Sequence, residues 1–316
     1  MEKKRDMICM GTALVDSIIK GFDPEPVSAS GYRAVSGTLN VGGEAVNQAM
    51  AAAKLGIRTG ILCSLGVDEA GELVMNALQR SGVDTEHVIR DSEHPTPVTT
   101  MFVREDGTRK SITNQAHRYG FAVEKYEDVF TDTRALLLGS LFRAPFDEPE
   151  RIRYILKKAK AAGVLVFADT KLPNYKILGL EELREVLPMI DYITPNEDEA
   201  AYYTKEKEPS AMADVFLKYG VKNVLIKLGG HGCYFKNSEQ ELSLPAYRIN
   251  AVDATGAGDN FLAGFAAEIL RGASQEQALR FGNACGAICA TMVGAGSALK
   301  SREQVLQFMK ENVLSV

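Results

Sequence analysis

Apolar and small residues alternate from Met7 to Ile19, the period of a strand that runs through Gly11 and leaves Asp16 at its end. A polar, β-like stretch from Ser28 to Val41 leads into Gly42-Gly43. The Ala-rich run AVNQAMAAAKLG then has the period of a buried helix ending at Gly56. A short strand (Thr59 to Ser64), a helix (Glu69 to Ser81) and two alternating segments, Val98 to Val103 and Lys110 to Ile112, follow. EDGT joins the last two as a hairpin expected outside the main sheet.

From Leu136 the rhythm is strictly alternating. LLLGS, a helix over Pro149 to Ala162, VLVFAD, a helix over Leu180 to Val186, DYITPN, a helix over Ala211 to Tyr219 and NVLIKLGG predict an α/β fold, a doubly wound and mostly parallel sheet with helices on both faces. Three more helices are expected over Ala257 to Leu270, Gln275 to Val293 and Arg302 to Asn312. No repeat or linker divides the chain, so residues 1–316 read as one domain with a small β lid built from about 17–41 and 97–114.

Composition narrows the function classes. With 46% hydrophobic residues the chain builds a core without staples, and a net charge of -5 without long charge blocks gives no reason to expect nucleic acid or an anionic membrane as partner. No run approaches the ~20 apolar residues of a membrane span, and no signal peptide is read, so the cytoplasm is the expected location. Five cysteines without a CxxC pair fit reduced thiols, with Cys285 and Cys289 as small core residues. The expected partner is a small molecule.

The chemistry concentrates in Asp253-Ala254-Thr255-Gly256-Ala257-Gly258-Asp259, a glycine-rich turn opening an apolar helix. Unpaired N–H groups at a helix start suit a phosphate or a developing anion. A carboxylate there would repel a resting phosphate, but it makes sense as the base that takes a proton from an attacking hydroxyl. Chance produces this D-x-T-G-x-G-D pattern in a chain of this length about once in several thousand. Phe261 stands where a dinucleotide fingerprint needs glycine, and Gly-Lys, required by a Walker loop, does not occur.

DATGAGDNF resembles the C-terminal signature of the PfkB family, the ribokinase-like carbohydrate kinases, and VGGEAVNQAMAAAKLG resembles its N-terminal signature. The resemblance runs from about Gly11 to Ser297. It implies a ribokinase-like α/β domain with a β lid over the sugar, and an ATP-dependent transfer of the γ-phosphoryl group to a sugar hydroxyl. By that resemblance Asp259 is the base and the amides of Gly256, Ala257 and Gly258 form the anion hole. Gly11, Asp16, Gly42, Gly43 and Asn47 bind the acceptor, with a buried structural hydrogen bond as the lesser alternative for Asn47. Glu44 and Val46 are substitutable positions in the family.

Asn196 and Glu199 match the family's Asn-x-x-Glu motif for Mg²⁺ and its waters, although the same pair makes a good helix cap. Lys227, Gly229 and Gly232 match the nucleotide-side loop, and Asn283 falls where the family places a residue beside adenine. Asp253, Thr255, Gly294 and Ser297 match a monovalent cation site, which makes K⁺ a possible cofactor. Asp169 ends a strand on the sheet's carboxyl edge, where ligands bind. The family's Asp-x-Asn-x-Arg is replaced by Asp169-Thr170-Lys171, and Lys171, with Arg109 or Arg143, would suit a phosphorylated acceptor. A nucleoside acceptor and a non-catalytic sugar sensor are the alternatives, and a homodimer through the lid is implied by the resemblance.

Overall fold

The computed structural model describes residues 3–21, 33–104, 108–114, 123–295 and 298–312. Strands among them are β1 (Arg5–Met10), β2 (Leu14–Lys20), β3 (Ser36–Gly42), β4 (Thr59–Gly66), β5 (Val88–Asp91), β6 (Val98–Val103), β7 (Arg109–Thr113), β8 (Thr133–Leu141), β9 (Leu165–Thr170), β10 (Tyr192–Ile193), β11 (Asn223–Lys227), β12 (Cys233–Asn237) and β13 (Glu241–Leu244). Helices are α1 (Glu44–Lys54), α2 (Glu69–Arg80), α3 (Asp128–Thr131), α4 (Pro149–Ala161), α5 (Glu197–Thr204), α6 (Pro209–Lys218), α7 (Ala257–Leu270), α8 (Gln275–Ala290) and α9 (Arg302–Glu311).

Nine strands form one sheet in the order β13-β12-β11-β10-β9-β8-β1-β4-β5 among the described residues. From β5 to β11 every pairing is parallel, and β12 and β13 add antiparallel at one edge. Strands covered on both faces must be apolar throughout, which is why LLLGS and VLVFAD carry no alternation. In β1, Met7 and Cys9 face a core shared with α1, α7 and α8, while Ile8 and Met10 face the other core with α4, α5 and α6. The chain leaves β1 toward β4 and β5, then returns to β8 on β1's other side. That reversal opens a crevice outside the carboxyl ends of β1 and β8, where open α/β sheets bind ligands.

Four strands among the described residues form a separate small sheet in the order β3-β2-β6-β7. The predicted strand from Met7 to Ile19 is therefore two strands in two sheets, broken at Gly11, because Thr12 and Ala13 turn the chain out of the main sheet. Asp16 consequently lies inside β2, paired in register with Asn40 and Thr99, and not at a strand end. The small sheet begins at Leu14, earlier than the expected 17, and part of the predicted Ser28 to Val41 stretch lies outside the described residues. The helix expected over Leu180 to Val186 is instead two short 3-10 turns, Glu181–Leu183 and Leu187–Met189, the second opening with Pro188 where its missing N–H costs nothing. The helix after Gln275 ends at Ala290 rather than Val293.

Candidate active site

The crevice is assembled from loops at the carboxyl ends of β1, β8, β9 and β11, from α1, and from the start of α7. Gly43 caps α1 at φ 94, a left-handed conformation that side chains resist, and a Cβ there would run into the Thr12 carbonyl. The turn brings Gly42 against the Asp16 carboxylate. Burial raises the Asp16 carboxyl from 3.8 to about 6.

Gly256 caps α7 at φ 76, and a Cβ there would overlap Ala295. Asn260 secures this turn: its Nδ2 donates to the carbonyls of Gly256 at 2.9 Å and Ala295 at 2.8 Å. Cys289 Sγ reaches the Thr255 and Ala295 carbonyls at 3.5 and 3.4 Å, so this buried cysteine packs against the turn. One detail of the expected anion hole changes. The Ala257 N–H donates to the Ala254 carbonyl at 3.1 Å, so of these three amides those of Gly256 and Gly258 are left to face a ligand.

Asp259, in the first turn of α7, faces α1. Asn47 Nδ2 donates to its Oδ2 at 2.8 Å and Gln48 Nε2 to its Oδ1 at 3.3 Å. Burial raises its carboxyl; Lys171 draws it down, Asp169 pushes it up, Asn47 lowers it and Glu44 raises it, leaving it at about 6. A carboxylate poised there is ionised at neutral pH yet far more basic than a free aspartate. Gln48 and Glu44 are the residues that motif reading missed. Gln48 is fully buried, and a polar residue beside Asn47 in an otherwise apolar run was the available signal.

Glu44 is not a neutral filler. Its buried carboxylate accepts from Thr12 N at 2.8 Å, Thr12 Oγ1 at 2.6 Å and Ser140 Oγ at 2.6 Å, joining the β1–β2 turn to the end of β8. Gly11 lies directly against it.

Asp169 and Lys227 were expected on the acceptor and nucleotide sides respectively, and the structure pairs them. Lys227 Nζ stands 2.6 Å from Asp169 Oδ1, which Thr194 Oγ1 also reaches at 3.1 Å, and Gln48 Nε2 lies 3.5 Å from Asp169 Oδ2. With Asp169 1% exposed and so engaged, it is a link between the two halves of the site and not a free acceptor ligand. Lys227 also lines a cavity of about 380 Å³ with Gly229, Gly232, Gly258, Phe261 and Asn283, so the four expected nucleotide-side residues share one hollow that reaches the α7 turn. Asn283 Nδ2 donates to the Pro245 carbonyl at 3.3 Å in the wall.

Asn196 and Glu199 make a capping box for α5. Asn196 Oδ1 accepts from Glu199 N at 2.8 Å, and Glu199 Oε2 accepts from Asn196 N and Thr170 Oγ1, each at 3.0 Å. Burial raises the Glu199 carboxyl, against the pull of Lys227. Among the described residues no three His, Cys, Asp or Glu side chains gather to cage a metal. The oxygens of this pair fit a magnesium ion that keeps its water shell and is held mainly by a ligand. Asp253, Thr255 and Gly294 do meet: Asp253 Oδ1 accepts from Thr255 N and Oγ1, and its Oδ2 from Gly294 N at 3.1 Å. Ser297 and the Arg109 side chain lie outside the described residues. Among the described residues no helix is long and apolar enough to cross a membrane.

The pfkB family carbohydrate kinase profile matches residues 5–302. A ribokinase of Haemophilus influenzae is 30% identical over 85% of this chain and 87% of its own length. A 2-dehydro-3-deoxygluconokinase of Bacillus subtilis is also 30% identical, over 83% of this chain and 84% of its own. Among solved structures, Arabidopsis thaliana ribokinase complexed with ribose and ATP superposes with a TM-score of 0.85 at 27% identity, covering 98% of this chain and 99% of that one.

Proposed function

The chain belongs to the pfkB family of carbohydrate kinases, an ATP-dependent phosphotransferase of ribokinase-like fold, and from that premise we propose that Asp259 is the general base that activates a hydroxyl of a small sugar acceptor. The observation that carries this reading is the position of Asp259: a carboxylate raised to about 6, held by Asn47 and Gln48, beside unpartnered amides and next to Gly258 in the wall of the nucleotide-side cavity.

In this reading the acceptor lies between Asp16, Gly42-Gly43 and Asn47, with the small sheet closing over it to exclude water. The nucleotide occupies the cavity lined by Lys227, Gly229, Gly232 and Asn283. As the acceptor oxygen forms its bond to the γ-phosphorus, its proton passes to Asp259, and the bond to the β–γ bridging oxygen breaks to release ADP. The Gly256 and Gly258 amides donate to the phosphoryl oxygens as charge develops there. Magnesium, when bound with the nucleotide, neutralises phosphate charge, and Asn196 and Glu199 would hold its waters. K⁺ beside Asp253, Thr255 and Gly294, dimerisation through the small sheet and a cytoplasmic location belong to the same proposal.

Relatives at equal identity are named for different acceptors, so identity alone does not select the sugar. The test is ADP release from ATP and Mg²⁺ across ribose, fructose, 2-keto-3-deoxygluconate, fructose 6-phosphate and nucleosides, with and without K⁺. Acceptor-dependent release that disappears in Asp259→Asn supports the reading. Nucleotide binding without release on any acceptor would overturn it in favour of a sensor.

A further inference from the structure

A second chamber of about 250 Å³ opens on the acceptor side, with Thr12, Glu44, Thr99, Thr113, Ser140, Arg143 and Lys171 among its walls. Most polar groups in it are already engaged. Thr12 and Ser140 occupy both Glu44 oxygens, and the Thr99 and Thr113 hydroxyls lie 2.9 Å apart. The two cations keep most of their donors open. Among the described residues the Lys171 ammonium has neither a hydrogen bond nor an ion pair. Arg143 makes one long contact, Nη1 to the Leu172 carbonyl at 3.4 Å.

Both cations are held in place by structure. The Lys171 backbone is fixed through its N–H to the Leu141 carbonyl at 3.0 Å and its carbonyl to Tyr203 Oη at 2.5 Å. Arg143 follows two non-glycine residues in left-handed conformation, Ser140 at φ 54 and Phe142 at φ 75, where β8 bulges away from β9. Such strain persists where the surroundings over-determine it, and it gathers at functional sites.

We propose that this chamber selects an acceptor carrying a carboxylate, a sugar acid, whose anionic end is bound by Lys171 and Arg143 while a hydroxyl is presented to Asp259. The proposal rests on the kinase reading and names its substrate class. Asp169, Asp259, Glu199 and Glu44 already act on Lys171, so a singly charged carboxylate is better tolerated beside it than a phosphate dianion. Guanidinium and ammonium also supply fork and point-charge donors suited to a carboxylate.

The test compares kcat/KM for 2-keto-3-deoxygluconate and gluconate with that for ribose, fructose, glucose and fructose 6-phosphate. Calorimetric titration of each acceptor without nucleotide runs beside it. A sugar acid should be preferred, and Arg143→Gln should weaken its binding roughly ten- to a hundredfold while neutral sugars change little. Lys171→Met should weaken it similarly, with nucleotide affinity retained. A neutral sugar phosphorylated best would overturn the proposal and leave the kinase reading intact. Preference for fructose 6-phosphate would overturn the carboxylate assignment, and the absence of turnover with every acceptor would overturn the kinase reading itself.

Discussion

Asn47 and Asp259 are 212 positions apart in the chain, yet Asn47 Nδ2 donates to Asp259 Oδ2 at 2.8 Å. The bond ties the two sequence signatures together: α1 delivers the carboxamide, α7 the carboxylate, and the two helices pack against each other in one core. A substitution on either side therefore acts on the same proton.

Asp259→Asn should lower kcat by about 10²-fold or more with nucleotide affinity retained. Steady-state kinetics with a separate nucleotide titration checks this, and near-normal turnover would end the assignment of the base. Its stability should move the other way. Because burial raises the Asp259 carboxyl from 3.8 to about 6, its contribution to stability is full below pH 3.8 and lost as pH rises through about 6. Near neutral pH the Asn variant should melt at the same temperature or roughly 2–4 °C higher, as thermal unfolding will show.

The pH profile of kcat/KM follows from the same group. Asp259 must be ionised to accept a proton, so activity should fall as pH drops through about 6. Asp16, raised by burial to about 6, titrates in the same window, so the acid limb should be steeper than a single ionisation. An acid limb near 4 would contradict the buried environment of both carboxylates.

Gln48 separates Asp259 from Asp169, donating to the first at 3.3 Å and lying 3.5 Å from the second. Gln48→Met removes the donor and leaves the two carboxylates facing each other across an apolar group. The acid limb should shift up by roughly one pH unit while acceptor KM changes less than kcat. A merely structural role would lower stability without moving the limb.

Lys227→Met removes the cation from Asp169, a carboxylate 1% exposed. Leaving that charge without its partner should destabilise the fold by about 3–5 kcal/mol in denaturant unfolding, alongside weaker ATP binding. The double variant Lys227→Met/Asp169→Asn should recover much of the stability and none of the nucleotide affinity, which separates the two roles of the lysine.

What the amino-acid sequence determined by itself was local. The apolar runs of LLLGS and VLVFAD need cover on both faces, the glycine turns at Gly42-Gly43 and Gly256 admit backbone conformations that other residues resist, and an aspartate beside a glycine-rich helix start, where it would repel a resting phosphate, points to a base. Those signals rest on neighbouring residues, so the alternating α/β order and the turn that carries Asp259 were legible. Where β2 leaves the main sheet was not, because alternation reads the same in either sheet and Thr12-Ala13 carry no strong turn signal. The pairing of Lys227 with Asp169, the saturation of Glu44 by Thr12 and Ser140, and the unpartnered ammonium of Lys171 were decided only by tertiary structure. Each depends on distances between segments far apart in the chain, and those distances are set by how the helices pack on the sheet.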